Sequence, residues 1–234
     1  MNARILIAGA FATALAACTA DAPDAADTGT AADTGAVATM TDDPDRDAGG
    51  TGVPAGFTAR TDRADAPITG AKYVASGGSM FDVTTGPAHI LFSPQNVGAG
   101  NYTAMATIEQ LEKPAHPEAF GLFIGGSNLN EPTQTYTYFV VRGTGEMLVK
   151  VREGDKTRDV VKWTANADVP KQDAGGKASY SLAAQVTGDA VKFIVNGKQV
   201  GSVSKAGLPT EGIAGLRINH NLHLKVSPVT IQTQ

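Results

Sequence analysis

The sequence predicts an all-β fold, two packed antiparallel sheets, from about Phe57 to Gln234. Three observations carry this reading. Gly and Pro punctuate that stretch at short spacing. Apolar and polar residues alternate between them, and no long stretch keeps a 3.6-residue apolar period. An Asn-Gly pair, Asn196-Gly197, separates two alternating runs. That is the strongest short hairpin signal, because a type I′ turn needs two successive residues at positive φ.

The elements follow in chain order. Arg4 precedes an apolar stretch, Ile5 to Ala17, that ends in Leu15-Ala16-Ala17-Cys18. The stretch is too short to cross about 30 Å of hydrocarbon as a helix. A charged start, an apolar middle and small residues at the cut make a signal-peptide layout. Leu15-Ala16-Ala17-Cys18 resembles the lipobox of bacterial lipoproteins. The resemblance implies cleavage after residue 17 and lipidation of Cys18, which anchors the chain to a membrane. An ordinary secretory signal with a spare cysteine is the alternative. Two or more acyl chains give stable anchoring where one is marginal. Thr19 stands where some Gram-negative lipoproteins carry an inner-membrane Asp, so the resemblance favours the outer membrane of a Gram-negative host. Cys18 is the only cysteine, so no intrachain disulfide framework can support the fold.

Residues 19–50 contain nine Ala, eight Asp, six Thr and four Gly, 27 of 32 positions, and no aromatic residue. Ala25-Ala26-Asp27-Thr28-Gly29 recurs as Ala31-Ala32-Asp33-Thr34-Gly35. Too little apolar surface is present to offset the entropy of ordering. The predicted organisation is a signal peptide at 1–17, a lipidated cysteine and disordered acidic tether at 18–56, and one β-sandwich domain at 57–234.

The tether segment 19–50 carries eight Asp against one Arg, a net −7. From residue 51 onward, 17 Lys and Arg face 15 Asp and Glu, a net +2. A near-neutral domain has no basic stripe for nucleic acid and no polybasic membrane patch.

Within the domain, strands are predicted at Tyr102 to Leu111 and at Phe120 to Ile124. Thr135 to Arg142 and Glu146 to Arg152 form a hairpin around Gly143-Thr144-Gly145. Arg158 to Thr164 and Ser179 to Thr187 follow, then the Val191 to Val203 hairpin. Gly212 to Asn219 and Leu222 to Ile231 complete a set of about a dozen.

The order Tyr102-Thr103-Ala104, Phe120 to Gly126, Tyr136 to Arg142, Val195-Asn196-Gly197 and Gly212 to Arg217 resembles the concanavalin A-like lectin/glucanase superfamily. That superfamily includes laminin G-type domains, and the order is similar to the bacterial domain linked to 3-keto-disaccharide hydrolases. The resemblance covers roughly residues 70–232. It implies an antiparallel jelly-roll β-sandwich, and it spans lectins, hydrolases, lyases and plain interaction modules.

Glucanases of that superfamily use a Glu-x-Asp-x-(x)-Glu strand motif, whose alternation sets carboxylates on one face. This chain has none: Glu109 and Glu112 have odd spacing, and Glu146 and Glu153 lie at opposite parity. The reading therefore leans away from catalysis. The histidines are His89, His116, His220 and His223, without helical zinc-site spacing. By parity His220 lies with Leu216 and Ile218, either as a buried brace for loops or as a base at the sheet mouth. No cofactor is required, but the resemblance admits calcium, with Asp82, Asn128, Asn130 and Glu131 as oxygen-rich candidates.

Polar strand faces make the more useful constellation. Tyr136, Tyr138 and Arg142 share one parity, and Lys150 and Arg152 share another. Arg217, Asn219, Asn221 and His223 share a third if that strand runs straight through. If these faces meet, flat rings beside planar hydrogen-bonding groups suit sugars or acidic glycans. The alternative is a solvated face with tyrosines on arginine stems. Trp163 is either a stacking platform or partly buried core. The expected ligand contacts are Tyr136, Tyr138, Arg142, Arg217, Asn219 and His223. The leading reading is a membrane-anchored, non-catalytic glycan-binding envelope lipoprotein. A glycoside hydrolase and a protein-interaction module are the rivals.

Overall fold

The computed structural model describes residues 45–63 and 65–234. The expected signal peptide, the lipidated Cys18 and the tether up to residue 44 lie outside the described residues. The described part is all-β: two antiparallel sheets packed face to face as a sandwich.

The first strands are short: β1 (Thr58–Thr61), β2 (Lys72–Ala75) and β3 (Phe81–Thr84). Then come β4 (His89–Gly98), β5 (Tyr102–Gln110), β6 (Ala119–Ser127), β7 (Thr135–Arg142), β8 (Glu146–Glu153) and β9 (Lys156–Ala165). The last are β10 (Ala178–Thr187), β11 (Ala190–Val195), β12 (Lys198–Ser204), β13 (Gly212–Ile218), β14 (His223–Val226) and β15 (Thr230–Thr233). One sheet has seven strands in the order β1-β4-β13-β6-β7-β8-β9. The other has eight, ordered β12-β11-β10-β5-β14-β3-β2, with β15 also pairing β5.

Every predicted strand is present, and the predicted Leu222 to Ile231 run splits into β14 and β15. Four strands were not predicted. β1, β2 and β3 are four residues each, too short to show a period. β4 contains Pro94, which speaks against a central strand. The chain accommodates it with a register shift: Gly215 faces Phe92 while Ile213 faces Val97, so residues 93–96 bulge away from the ladder. Asn196 (φ 50°) and Gly197 (φ 78°) form the expected turn between β11 and β12. Asn196 Oδ1 accepts from the Ser181 amide at 2.7 Å, tying that turn to β10.

Inward alternation on both sheets supplies one core, with Phe120, Leu122, Phe139, Val141 and Leu216 from one side and Tyr180, Leu182, Phe193 and Leu224 from the other. Phe139 meets Phe193 at 4.9 Å between ring centroids, and Phe120 meets Tyr180 edge-on at 5.1 Å. These rings couple the two layers. Residues at the end of the expected tether are docked on the domain. The Ala48 amide donates to Gly70 O at 3.1 Å, and the Arg46 amide to Asn221 Oδ1 at 2.8 Å. The domain therefore begins before Phe57.

His89 on β4 is fully buried. Its Nδ1 lies 2.8 Å from the Pro87 carbonyl, which can only accept, so Nδ1 carries the proton and Nε2 accepts from the Tyr73 hydroxyl. Burial lowers its pKa from 6.5 to about 4. The unfolded chain binds a proton at this ring near pH 6.5 and the folded chain does so only near 4, so stability falls as pH drops through that window. Urea unfolding at pH 7 and pH 5 should differ by about 2 kcal/mol from this residue alone. His89→Gln should remove that difference; an unchanged slope in the variant would assign the proton uptake to another group.

Candidate functional site

The seven-stranded sheet carries a second set of side chains on the face turned away from the core. Strand register places them in rows. Arg217 on β13 stands between Ile90 on β4 and Gly121 on β6. In the next row Gly215, Phe123, Tyr138, Lys150 and Asp159 follow across five strands. Tyr136 faces Arg152 in the row beyond. A Cβ at Gly215 would lie 2.5 Å from Cε1 of Phe123, so only glycine leaves that ring its place. The apolar members Ile90, Phe92, Phe123, Leu129 and Tyr136 form their own cluster under this face.

Arg217 is the centre. It is 7 % exposed, and its Nη1 and Nη2 donate to Asp62 Oδ1 and Oδ2 at 2.7 and 2.6 Å. Asp62 directly follows β1, whose end is tied down by the Asp62 amide donating to Ala88 O at 2.9 Å. Arg152, also 7 % exposed, brings Nη2 to 3.3 Å from the same Oδ1. One carboxylate thus sits between two guanidinium groups. Burial pushes the Asp62 carboxyl up, but the Arg217 charge and hydrogen bonds, with the Arg152 charge, outweigh it and hold the pKa below the ordinary carboxylate value. Burial opposes the Arg217 charge, and Asp62 more than offsets it, so that pKa is raised.

Aromatic rings flank the ion cluster. The Arg217 guanidinium lies 5.8 Å from the Tyr138 ring centroid. Tyr138 leans on Tyr136 at 5.8 Å, and Tyr136 on Phe123 at 5.1 Å. Burial raises both tyrosine pKa values, Tyr136 to about 12. Further along the face Arg142 stacks 4.2 Å over the Trp163 ring and donates from Nε to Glu146 Oε2 at 2.7 Å. The hydrogen bond from Arg142 is the main reason that the Glu146 pKa falls to about 2. Trp163 is 37 % exposed, so it is a surface ring rather than core.

Beside the Asp62 cluster opens a cavity of about 680 Å³, lined by Arg60, Asp62, Asn130, Gln134, Arg152 and Asp155 among others. Its walls are pinned. The Arg60 guanidinium donates to Leu129 O at 3.0 Å and to Glu131 O, and the Gly154 amide donates to Gln134 O at 2.7 Å.

Four of the six expected contact residues, Tyr136, Tyr138, Arg142 and Arg217, lie on this face. Tyr136 is 1 % exposed and supports Tyr138 from beneath. Asn219 and His223 are not on the face, which corrects the straight-strand expectation. β13 ends at Ile218, Asn221 takes a left-handed turn (φ 54°), and the chain crosses to the other sheet before His223 opens β14. Asn219 donates to Glu118 Oε2 at 3.2 Å, and His223 lies 3.0 Å from Asp82. His220 is not buried among Leu216 and Ile218. It lies between Asp45 at 3.3 Å and Glu118 at 3.0 Å, partly exposed. The calcium candidates are also separated. Asp82 is on β3 in the eight-stranded sheet, while the Leu129 and Glu131 carbonyls already accept from Arg60. Among the described residues no group of three or more His, Cys, Asp or Glu side chains is placed to hold a metal.

Asp62, Arg60 and Gln134 were missed. Arg60-Thr61-Asp62-Arg63 shows no motif; its importance comes from β1 pairing to β4, next to β13.

No family model matches the chain, and no curated protein does. Solved structures do. The carbohydrate binding module CBM66 from Bacillus subtilis matches with 12 % identity over 76 % of this chain and 96 % of that one, at a TM-score of 0.50. A Bacillus subtilis protein of unknown function with a galectin-like fold matches with 11 % identity over 76 % of this chain and 89 % of that one, at 0.56. The chain shares with these structures an antiparallel two-sheet β-sandwich. At such identity the likeness speaks for the fold alone, and the chemistry rests on the face just described.

Proposed function

We propose that this chain is a glycan-binding module held at the bacterial cell envelope by a lipid on Cys18, acting by binding rather than catalysis. The observation that carries the proposal is the outward face itself: Tyr138 beside Arg217, Asp62 and Arg152, next to an open cavity of about 680 Å³. A half-buried ring next to fixed planar donors presents what a sugar needs, an apolar surface and directional hydrogen bonds. The likeness to a module named for carbohydrate binding supports the same reading. A glycosidase needs one carboxyl held protonated to donate to the leaving oxygen. Asp62 is shifted the other way and stays ionised. The anchor rests on Leu15-Ala16-Ala17-Cys18, with Thr19 favouring the outer membrane of a Gram-negative host; Cys18→Ala is expected to release the chain from the membrane fraction.

Binding is tested by screening the full chain on a polysaccharide array and measuring the retained glycan by affinity electrophoresis. Tyr138→Ala should weaken that retention by about tenfold, the scale of one aromatic contact, with the unfolding midpoint little changed. Retention equal to the parent protein, or no glycan retained at all, would remove the proposal's support.

A further inference from the structure

Arg152 stands out in this face because its charge is poorly matched. It is 7 % exposed, and among the described residues its ion-pair contact is 3.3 Å long and its buried Nε has no hydrogen-bond partner. Asp62 reaches only its Nη2, at 3.3 Å, because the carboxylate is oriented by its shorter bonds, 2.6 and 2.7 Å, to Arg217. A buried guanidinium left with an unmet donor is costly, and such groups mark places where a further acceptor is wanted.

The surroundings repeat the imbalance. Arg60, Arg152, Asp62 and Asp155 line the cavity, and Arg217 backs it. The lining holds two arginines and two aspartates, and Arg217 behind it takes the short bonds of Asp62. Arg60 is held by neutral carbonyls, those of Leu129 and Glu131, so its charge is not cancelled there. Asn130 and Gln134 add neutral hydrogen-bonding groups to the lining. The next pair on this face, Lys150 and Asp159, is internally matched at 3.1 Å.

From this we infer that the cavity beside Arg152 is an anion subsite, taking the carboxylate or sulfate ester of an acidic sugar while the rest of the glycan lies along Tyr138. The inference rests on the glycan-binding reading and adds the ligand's charge. An arginine fork suits both anions, and a charge-assisted bond in a partly closed cavity outweighs one to a neutral hydroxyl. Asp62 keeps Arg217 and Arg152 in place and leaves the surplus charge on the Arg152 side.

The test compares matched oligosaccharides on the full chain by titration calorimetry: a polyuronate oligomer, its methyl ester, and a sulfated neutral oligomer. The uronate or the sulfated oligomer should bind at least about tenfold more tightly than the methyl ester, and that margin should shrink as salt is raised. Whichever of the two is preferred names the source of the anion. Arg152→Gln should abolish the margin, so that the acidic oligomers bind no more tightly than the ester. Arg152→Lys, which keeps the charge and loses the fork, should retain part of the margin. Equal binding of the acidic and esterified oligomers by the unaltered chain overturns the anion subsite and leaves the glycan-binding reading standing. A margin that survives in a folded Arg152→Gln protein overturns the assignment to this cavity. Failure of every oligomer and of the polysaccharide array overturns both.

Discussion

Asp62→Ala is expected to lower the free energy of unfolding by about 3 kcal/mol at pH 7, the scale of breaking a buried ion pair from one side. Arg217 and Arg152 are each 7 % exposed, and the Asp62 carboxylate is the anion between them. Removing it leaves two like charges in a poorly hydrated place, where their repulsion and desolvation add. Asp62→Asn should cost less, because the amide oxygen still accepts a bond from Arg217. Adding Arg217→Met to Asp62→Ala should recover part of the loss, since an apolar side chain over Tyr138 needs no counter-ion. The pH dependence has a definite sign. The folded pKa of Asp62 lies below its unfolded value, so its contribution is complete above the unfolded pKa of 3.8 and is lost as pH falls through the folded value. Urea titrations of the single and double variants across pH measure all four effects. A loss under about 1 kcal/mol for Asp62→Ala would mean that water already reaches both guanidinium groups.

Phe139→Ala should be the largest single loss in the core, about 3–5 kcal/mol. The ring is 1 % exposed, comes from the middle of β7, and meets Phe193 of the other sheet at 4.9 Å. Its removal opens a cavity between layers whose backbones are held by their ladders and cannot collapse into it. Phe139→Leu keeps part of the volume and should cost on the order of 1–2 kcal/mol. Denaturant melts of both variants check the order. Because Tyr138 points to the opposite face from Phe139, a folded Phe139→Leu protein should keep its glycan affinity, whereas Tyr138→Ala should lose affinity and keep stability.

The strands that could be read from sequence were those whose signal is local. β5, β7, β8, β10 and β11 alternate over six or more residues, and Asn196-Gly197 names its own turn type. β1 to β3 were silent because four residues cannot show a period, and β4 was hidden by Pro94, which the ladder accepts only through a bulge opposite β13. The site was legible in the same uneven way. Tyr136, Tyr138 and Arg142 share a face because they share a strand. His223 was placed with Arg217 by parity along one run, and the turn at Asn219 to Leu222 carries it to the other sheet.

Alternation and turn chemistry, written in neighbouring residues, were sufficient to determine an all-β sandwich, its strongest hairpin and the tyrosine side of β7. Tertiary structure alone decided that Asp62, some 90 positions from Arg152 and 155 from Arg217, would bind them both. The physical reason is that sheet order and register are set by how distant strands close around a common core, and no local pattern encodes which edge strand will deliver its carboxylate to a buried arginine.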